Sequence, residues 1–393
     1  MSGALSDIRV LDLTRVLAGP WAAQVMGDLG AEVIKVERPG RGDDTRGWGP
    51  PYLEDAEGRP TSESAYFLGA NRNKRSVEID ISCAQGQAQI RQLVAESDVL
   101  LENFKVGDLA RYGLDYATLS EINPRLVYCS ITGFGQDGPY AGKPGYDFLI
   151  QAMGGLMSIT GRPDDQPGGG PMKSGVALTD ITTGLYALVA VLAALNRRHR
   201  SGVGQYIDVA LFDVQVACLA NQASAYLTSG RVPHRMGNAH PSIVPYEDFP
   251  TADGEIILTI GNDQQFARFC DAAEHAEWKD DERFATNAAR VEHRKVLVPL
   301  IRQTTVMRTT DQWVALLDAA GVPCGPVNSI DDVFRDPQAQ HRDLRITMAH
   351  PLQRELSLVA SPLRLSESPV AYRRPPPMLG EHTAEVLREI LGD

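Results

Sequence analysis

The chain has 393 residues, 43% apolar and 22% charged, with a formal net charge of −12. That length allows two domains, or one large domain with a smaller one attached. The acidic balance argues against a nucleic-acid or anionic-membrane partner, although a local basic pocket could still hold phosphates.

The N-terminus shows no basic-then-apolar signal pattern and enters a strand at once, over residues 8–13. Gly19-Pro20 opens a helix, with proline at a favoured early position, and Gly30 closes it. Residues 31–36 form the next strand, so this β-α-β unit has parallel strands. A loop rich in Gly, Pro and Asp runs over 39–60, followed by a strand at 76–81, a helix at 85–96 and strands at 98–102 and 126–131. Apolar residues at 185, 188, 189, 192 and 195, with alanines between, predict a buried helix over 185–195. A further strand follows at 205–211. Alternating strands and helices indicate an α/β domain with a mostly parallel sheet. Near residue 225 the pattern changes to a loop-rich stretch over 226–261, with one strand at 255–260, and then to helices over 263–320. The expected organisation is a large domain at 1–225, a small domain at 226–330 and a C-terminal segment at 331–393 returning to the large domain, with a last helix at 383–391. The longest apolar run, 185–195, is too short to span a bilayer.

Cys83, Cys129, Cys218, Cys270 and Cys324 are widely spaced, and no two form a CxxC pair. This fits reduced thiols in a cytoplasmic protein better than a disulfide framework or a zinc site. The chain has no GxGxxG, Walker loop, HExxH or GxSxG, so no nucleotide, metal or serine-hydrolase site is expected by those routes. Gly168-Gly-Gly170 reads as a connector rather than a phosphate cradle. The first domain does carry Arg38, Arg46, Arg72, Lys74, Arg75, Lys105, Arg111 and Lys143. Alone, each is an ordinary surface charge. Arg38 and Lys105, however, directly follow predicted strands, and open α/β sheets bind ligands beyond the carboxyl ends of their strands. The set therefore suggests an anionic ligand such as a phosphate.

Asp180 stands in the run Lys173-Ser-Gly-Val-Ala-Leu-Thr-Asp-Ile-Thr-Thr-Gly184, just before the apolar helix. Position alone makes it an N-cap, worth about 1 kcal/mol. A carboxylate at the positive end of a helix would also stay ionised and could act as a nucleophile.

Several collinear blocks resemble family III CoA-transferases: Leu29-Gly-Ala-Glu-Val-Ile-Lys-Val-Glu-Arg38, Asn73-Lys-Arg-Ser76, Glu102-Asn-Phe104, the Asp180 run, Gly321-Val-Pro-Cys-Gly-Pro326 and Leu379-Gly-Glu-His-Thr383. The resemblance covers nearly the whole chain. It implies a Rossmann-like open parallel sheet with a smaller α+β domain, and an interlocked homodimer. Asp180 then falls at the place of the family's nucleophile. Coenzyme A contacts are implied at Val16, Leu17 and Ala18, at Arg38 and around Ile79, and at Asn103, Phe104, Lys105 and Arg111. Lys143, Tyr146 and Asp147 would face the thioester end. The substrates implied are an acyl-CoA thioester and a small carboxylic acid, with no permanently bound cofactor, no metal, no nucleic acid and no membrane partner.

Within the family, formyl-CoA transferases carry glutamine at the place of Leu17 and a tetraglycine loop, which this chain lacks. Its Arg235-Met-Gly-Asn-Ala-His-Pro-Ser-Ile-Val-Pro-Tyr246 block instead resembles the succinyl-CoA:glutarate (dicarboxylate) branch. Arg235 or His240 could hold a distal carboxylate there, or serve only the loop. The alternative is an α-methylacyl-CoA racemase of the same fold. Those enzymes place a histidine base where this chain has Tyr146, and a phenol, with an ordinary pKa of about 10, is a poorer base at neutral pH. A CoA-binding protein without catalysis is the remaining reading, against which the Asp180 run argues.

Overall fold

The structure, a computed structural model, describes residues 3–391. Its central sheet has six parallel strands: β1 (Arg9–Asp12), β2 (Glu32–Glu37), β3 (Lys74–Glu78), β4 (Val99–Glu102), β5 (Val127–Thr132) and β6 (Gln205–Ala210). They lie in the order β3-β2-β1-β4-β5-β6, a doubly wound arrangement whose direction reverses between β1 and β4. Successive side chains point to opposite faces. Val10, Val33, Leu101 and Val127 enter one core, and Leu11, Ile34, Leu100 and Tyr128 enter the other. Both faces are therefore covered, as a parallel sheet requires.

Helices α1 (Ala18–Asp28) and α4 (Leu178–Ser201) cover the first face through Ala22, Met26, Ala187 and Val191. Helix α2 (Ala84–Ala95) covers the second through Ile90, Leu93 and Val94. Two short helices, α3 (Asp147–Met153) and α5 (Leu211–Ala217), flank the start of α4. The 24-residue α4 is much longer than the 185–195 expected. It continues through Thr179, Asp180, Thr182 and Thr183 at one end and the Arg197–Arg200 cations at the other, which an apolar pattern does not register. By length and composition α4 could cross a membrane, contrary to the expectation from its apolar run. Its buried residues, Ala187, Leu188, Val191, Ala194 and Leu195 among them, instead form part of the sheet's core.

The chain divides into two compact units. The larger contains Met1–Leu156, Ser174–Leu227 and Pro337–Asp393, and the smaller contains Met157–Lys173 and Thr228–Asp336. The continuous 1–225 domain read from the sequence is thus interrupted, because residues 157–173 pack with the smaller unit. Asp164 there pairs with Arg235, and the Gly161 carbonyl accepts from the Gly237 N–H at 3.0 Å. In the larger unit the C-terminal segment straps the edge strand β3. The Asn73 N–H donates to the Arg374 carbonyl at 2.9 Å, and Arg75 reaches Glu385 and Glu389 at 2.8 and 2.7 Å. The smaller unit has an antiparallel sheet, Tyr246–Pro250, Glu255–Thr259 and Cys324–Pro326, over a core that includes Phe249, Phe266, Phe269 and Trp313.

Candidate active site

The reversal of strand order opens a crevice at the carboxyl ends of β1 and β4, where open α/β sheets take their ligands. Arg15, Val16, Leu17 and Ala18 leave β1, and Asn103, Phe104 and Lys105 leave β4. With Lys143 and Tyr146 they line a cavity of about 210 Å³ that has Asp180 in its wall. A second cavity of about 590 Å³ shares Arg15 and Phe104 as walls and extends to Arg38 and Ile79. Both lie wholly within the larger unit.

The two loops are locked to each other. The Asn103 side chain accepts from the Arg15 N–H at 3.0 Å and donates to the Arg15 carbonyl at 2.8 Å. Asp43 accepts from the Val16 N–H at 3.2 Å, with Val16 held at φ 73°. Positive φ is unfavourable for a β-branched residue, so these bonds hold the loop in a conformation it would not adopt alone. Glu102 accepts from the Phe104 N–H at 2.8 Å. Burial pushes the Glu102 carboxyl up to about 7, against the opposing pull of Ser130 and that N–H.

Asp180 is the third residue of α4, inside the first turn; the N-cap is Ala177, which offers no side-chain bond. The cap comes from elsewhere in the chain. Asp147 Oδ1 accepts from the Thr179 N–H at 2.8 Å and from the Asp180 N–H at 3.2 Å. Asp147 Oδ2 accepts from Gln151 at 2.6 Å, and Gln151 in turn accepts from the Ser174 N–H at 2.9 Å. On the other side, the Thr179 hydroxyl donates to buried Gln215 of α5 at 2.6 Å. The expectation that Asp180 stays readily ionised at a positive helix end is therefore corrected. Asp147 already satisfies those amides, and burial, with the Asp147 charge adding to it, pushes the Asp180 carboxyl up to about 7. The same two amides are not free to stabilise an oxyanion.

Two of the residues implied as CoA contacts line neither cavity. The Arg111 guanidinium turns to Asp108, which lines the second cavity, and Asp147 turns to backbone. Four of the cations grouped as candidate phosphate ligands are internal. Arg46 bonds Glu37 at 2.8 Å and Glu63 at 2.8 Å, and Arg72 bonds Asp28 at 2.6 Å. Lys74 bonds Asp12 at 3.0 Å, and Arg75 bonds Glu32, Glu385 and Glu389. A fully buried cation needs a paired carboxylate, and these have one. The Arg235 guanidinium is held by Asp164 and the Ser158 carbonyl, and so ties residues 157–173 to its own segment, while His240 Nδ1 accepts from the Ser242 N–H at 3.1 Å within its loop.

Arg15, which lines both cavities, was not singled out from the sequence, although it stands just after the first strand. Nor was Tyr66, whose phenol burial pushes up to about 12, with the Asp180 and Asp147 charges adding to it.

A family model described as CoA-transferase family III matches residues 5–383. The chain belongs to CoA-transferase family III. This CoA-transferase is 52% identical over 386 residues to a succinate–glutarate CoA-transferase of Agrobacterium fabrum, covering 98% of this chain and 95% of that one. It is 44% identical over 387 residues to the human succinyl-CoA:glutarate CoA-transferase, covering 98% and 86%. A crystal structure of a CAIB/BAIF family protein from Brucella suis superimposes with a TM-score of 0.88 at 47% identity, over 99% and 100% of the two chains. The relatives described here are named as transferases, which gives the racemase alternative no support.

Proposed function

We propose that this CoA-transferase moves CoA from succinyl-CoA to a dicarboxylate, glutarate first among them, through covalent intermediates on Asp180. The observation that carries the reading is the placement of Asp180, a buried carboxyl, in the wall of a cavity at the strand-order reversal, beside the loops of Arg15–Ala18 and Asn103–Lys105. The names of the relatives at 52% and 44% identity support the choice of donor and acceptor.

An ionised Asp180 oxygen attacks the thioester carbonyl and expels CoA thiolate, leaving a mixed anhydride of Asp180 and succinate. The thiolate attacks the Asp180 carbonyl, succinate departs, and an aspartyl-CoA thioester remains. The acceptor carboxylate attacks that thioester to give a second anhydride and free thiolate. The thiolate then attacks the acceptor's carbonyl, which releases the new acyl-CoA and regenerates Asp180. Splitting one acyl exchange into such steps is the advantage of covalent catalysis. Arg38 and Arg15 would hold the phosphate-bearing end, in the second cavity and at the junction of the two.

The reading includes a homodimer in a reducing, cytoplasmic compartment. Leu185, Tyr186 and Val189 are 43%, 51% and 62% exposed on α4, a face that suits a second copy, and all five cysteines are free. The test is incubation with succinyl-CoA and a panel of dicarboxylates, with intact-mass detection of an adduct on wild type and Asp180→Ala. Transfer to glutarate and an adduct lost in the variant are expected. Absence of transfer to every dicarboxylate, or transfer by Asp180→Ala, overturns the proposal.

A further inference from the structure

Asp147 is bound to the nucleophile's helix rather than to the cavity. Its two oxygens accept three N–H groups: those of Thr179 and Asp180 at Oδ1, and that of the Gln151 side chain at Oδ2. Gln151 is fully buried and is itself fixed by the Ser174 N–H, four residues before α4 begins. The Asp180 amide is thus tied to the same carboxylate oxygen as its neighbour's. The helix has no side-chain cap of its own, because its N-cap is Ala177.

We infer that Asp147 is a positioning residue for the reaction: by gripping the first two usable amides of α4 it fixes the turn that aims the Asp180 carboxyl at the thioester. The inference rests on the proposed role of Asp180. It assigns Asp147 a task other than contact with coenzyme A. A second effect follows from charge. A negative group held beside a buried carboxyl disfavours its ionisation, and so makes the ionised form more basic and a better nucleophile. The Asp180 carboxyl is indeed raised, with burial first and Asp147 second.

Other charged groups bear on Asp180 less directly. Arg15, Asp44, Lys105 and Lys143 line its cavity, and Tyr66 lies close enough for its phenol to respond to Asp180. Among the elements packed on α4, α1 carries Asp28, paired with Arg72, and α5 carries Asp213, which is exposed. Strand β5 carries Tyr128 and Cys129, and β6 carries Tyr206 and Asp208, the last bonded by the Gln136 N–H.

The experiment compares Asp147→Asn, Asp147→Ala and Asp180→Ala in full-length protein, measuring thermal midpoint, kcat, KM for succinyl-CoA and the pH profile of kcat. Asparagine keeps an acceptor for the two amides but loses the charge and the acceptor for Gln151. Its acid limb is expected to move down by about one pH unit, with kcat at pH 8 within a few-fold of wild type. Alanine loses the grip, and a misaimed nucleophile lowers kcat by ~10²-fold with KM changed less than about threefold. The inference is overturned if Asp147→Ala keeps wild-type kcat below its thermal midpoint. It is also overturned if KM alone rises, which would return Asp147 to coenzyme A binding, or if Asp147→Asn leaves the acid limb in place. Activity in Asp180→Ala would instead remove the nucleophile reading itself, so the two failures are told apart.

Discussion

A Cβ placed on Gly184 would lie 2.5 Å from the carbonyl oxygen of Ala18. Gly184 is one turn beyond Asp180 on α4, and Ala18 begins α1 in the wall of the cavity. The close approach of these two helices therefore sets how far the nucleophile stands from the loop after β1. Gly184→Ala should force them apart. Overpacking of this kind costs about 1–3 kcal/mol. The expected result is a lowered thermal midpoint together with a fall in kcat at temperatures where the variant is still folded. Unchanged kcat would mean that the spacing is not what places Asp180.

The raised Asp180 carboxyl links activity and stability to pH in opposite senses. Transfer needs the ionised form, so kcat should rise as pH passes through about 7. Stability behaves the other way. A carboxyl whose folded-state pKa lies above its unfolded value, ordinarily near 3.8, contributes stability that is present below about 4 and lost as pH rises through about 7. Asp180→Asn is permanently neutral and escapes that loss. It should be inactive, match wild type near pH 4, and exceed it at pH 8 by on the order of 1–4 kcal/mol in denaturant titrations. A variant less stable than wild type at pH 8 would contradict this.

The basic residues of the larger unit should separate into two classes. Lys74 is fully buried and donates to Asp12, the Pro20 carbonyl and Asn71 at 3.0, 2.9 and 2.9 Å. Lys74→Met strands the Asp12 carboxylate in the core, at a cost of about 3–5 kcal/mol. Arg38 lines the larger cavity, and Arg38→Ala should leave the thermal midpoint within about 1 °C while raising KM for succinyl-CoA by ~10-fold, the loss of one charge-assisted contact. Thermal unfolding and steady-state kinetics on both variants check the division.

Asn103 joins the two loops through one carboxamide, and Asn103→Leu removes both bonds to Arg15 while keeping the volume. The Arg15 N–H and carbonyl, half-buried, would be left to water or unpaired, at about 1–3 kcal/mol. Poorer succinyl-CoA affinity, read by calorimetry, is expected, with Asn103→Asp intermediate because it retains only the acceptor.

The sheet was legible because its strands are buried on both faces and read as short apolar runs, as at Arg9–Asp12 and Val99–Glu102. Strand Lys74–Glu78 was read two residues late, because Lys74 and Arg75 are cations that the fold buries against carboxylates 62 and 310 positions away. Tyr246–Pro250 was folded into a loop-rich stretch, since only one of its five side chains is fully buried. At the site, Arg38 and Lys105 were legible by topology, as cations that follow strands, while Val16 and Asn103 were implied only by the family resemblance; all four line the cavities. The role of Asp147 was not, because its partners are backbone amides 32 and 33 positions on, which have no identity in a sequence.

The inward placement of Arg46, Arg72, Lys74 and Arg75 bears on how a polyanionic thioester reaches the enzyme. Each is paired with a carboxylate it touches, so these cations form no basic surface patch on a chain whose net charge, with them counted, is −12. An incoming acyl-CoA is repelled at long range and meets attraction only close to the cavities, from Arg38, Lys105 and Lys143 and from Arg15, which also pairs with Asp44 at 3.2 Å. Mobile ions screen the distant repulsion over about 10 Å at 0.1 M ionic strength, and leave the close contacts largely intact. Adding salt should therefore quicken the encounter rather than slow it, the reverse of what a protein with an outwardly basic phosphate site would show.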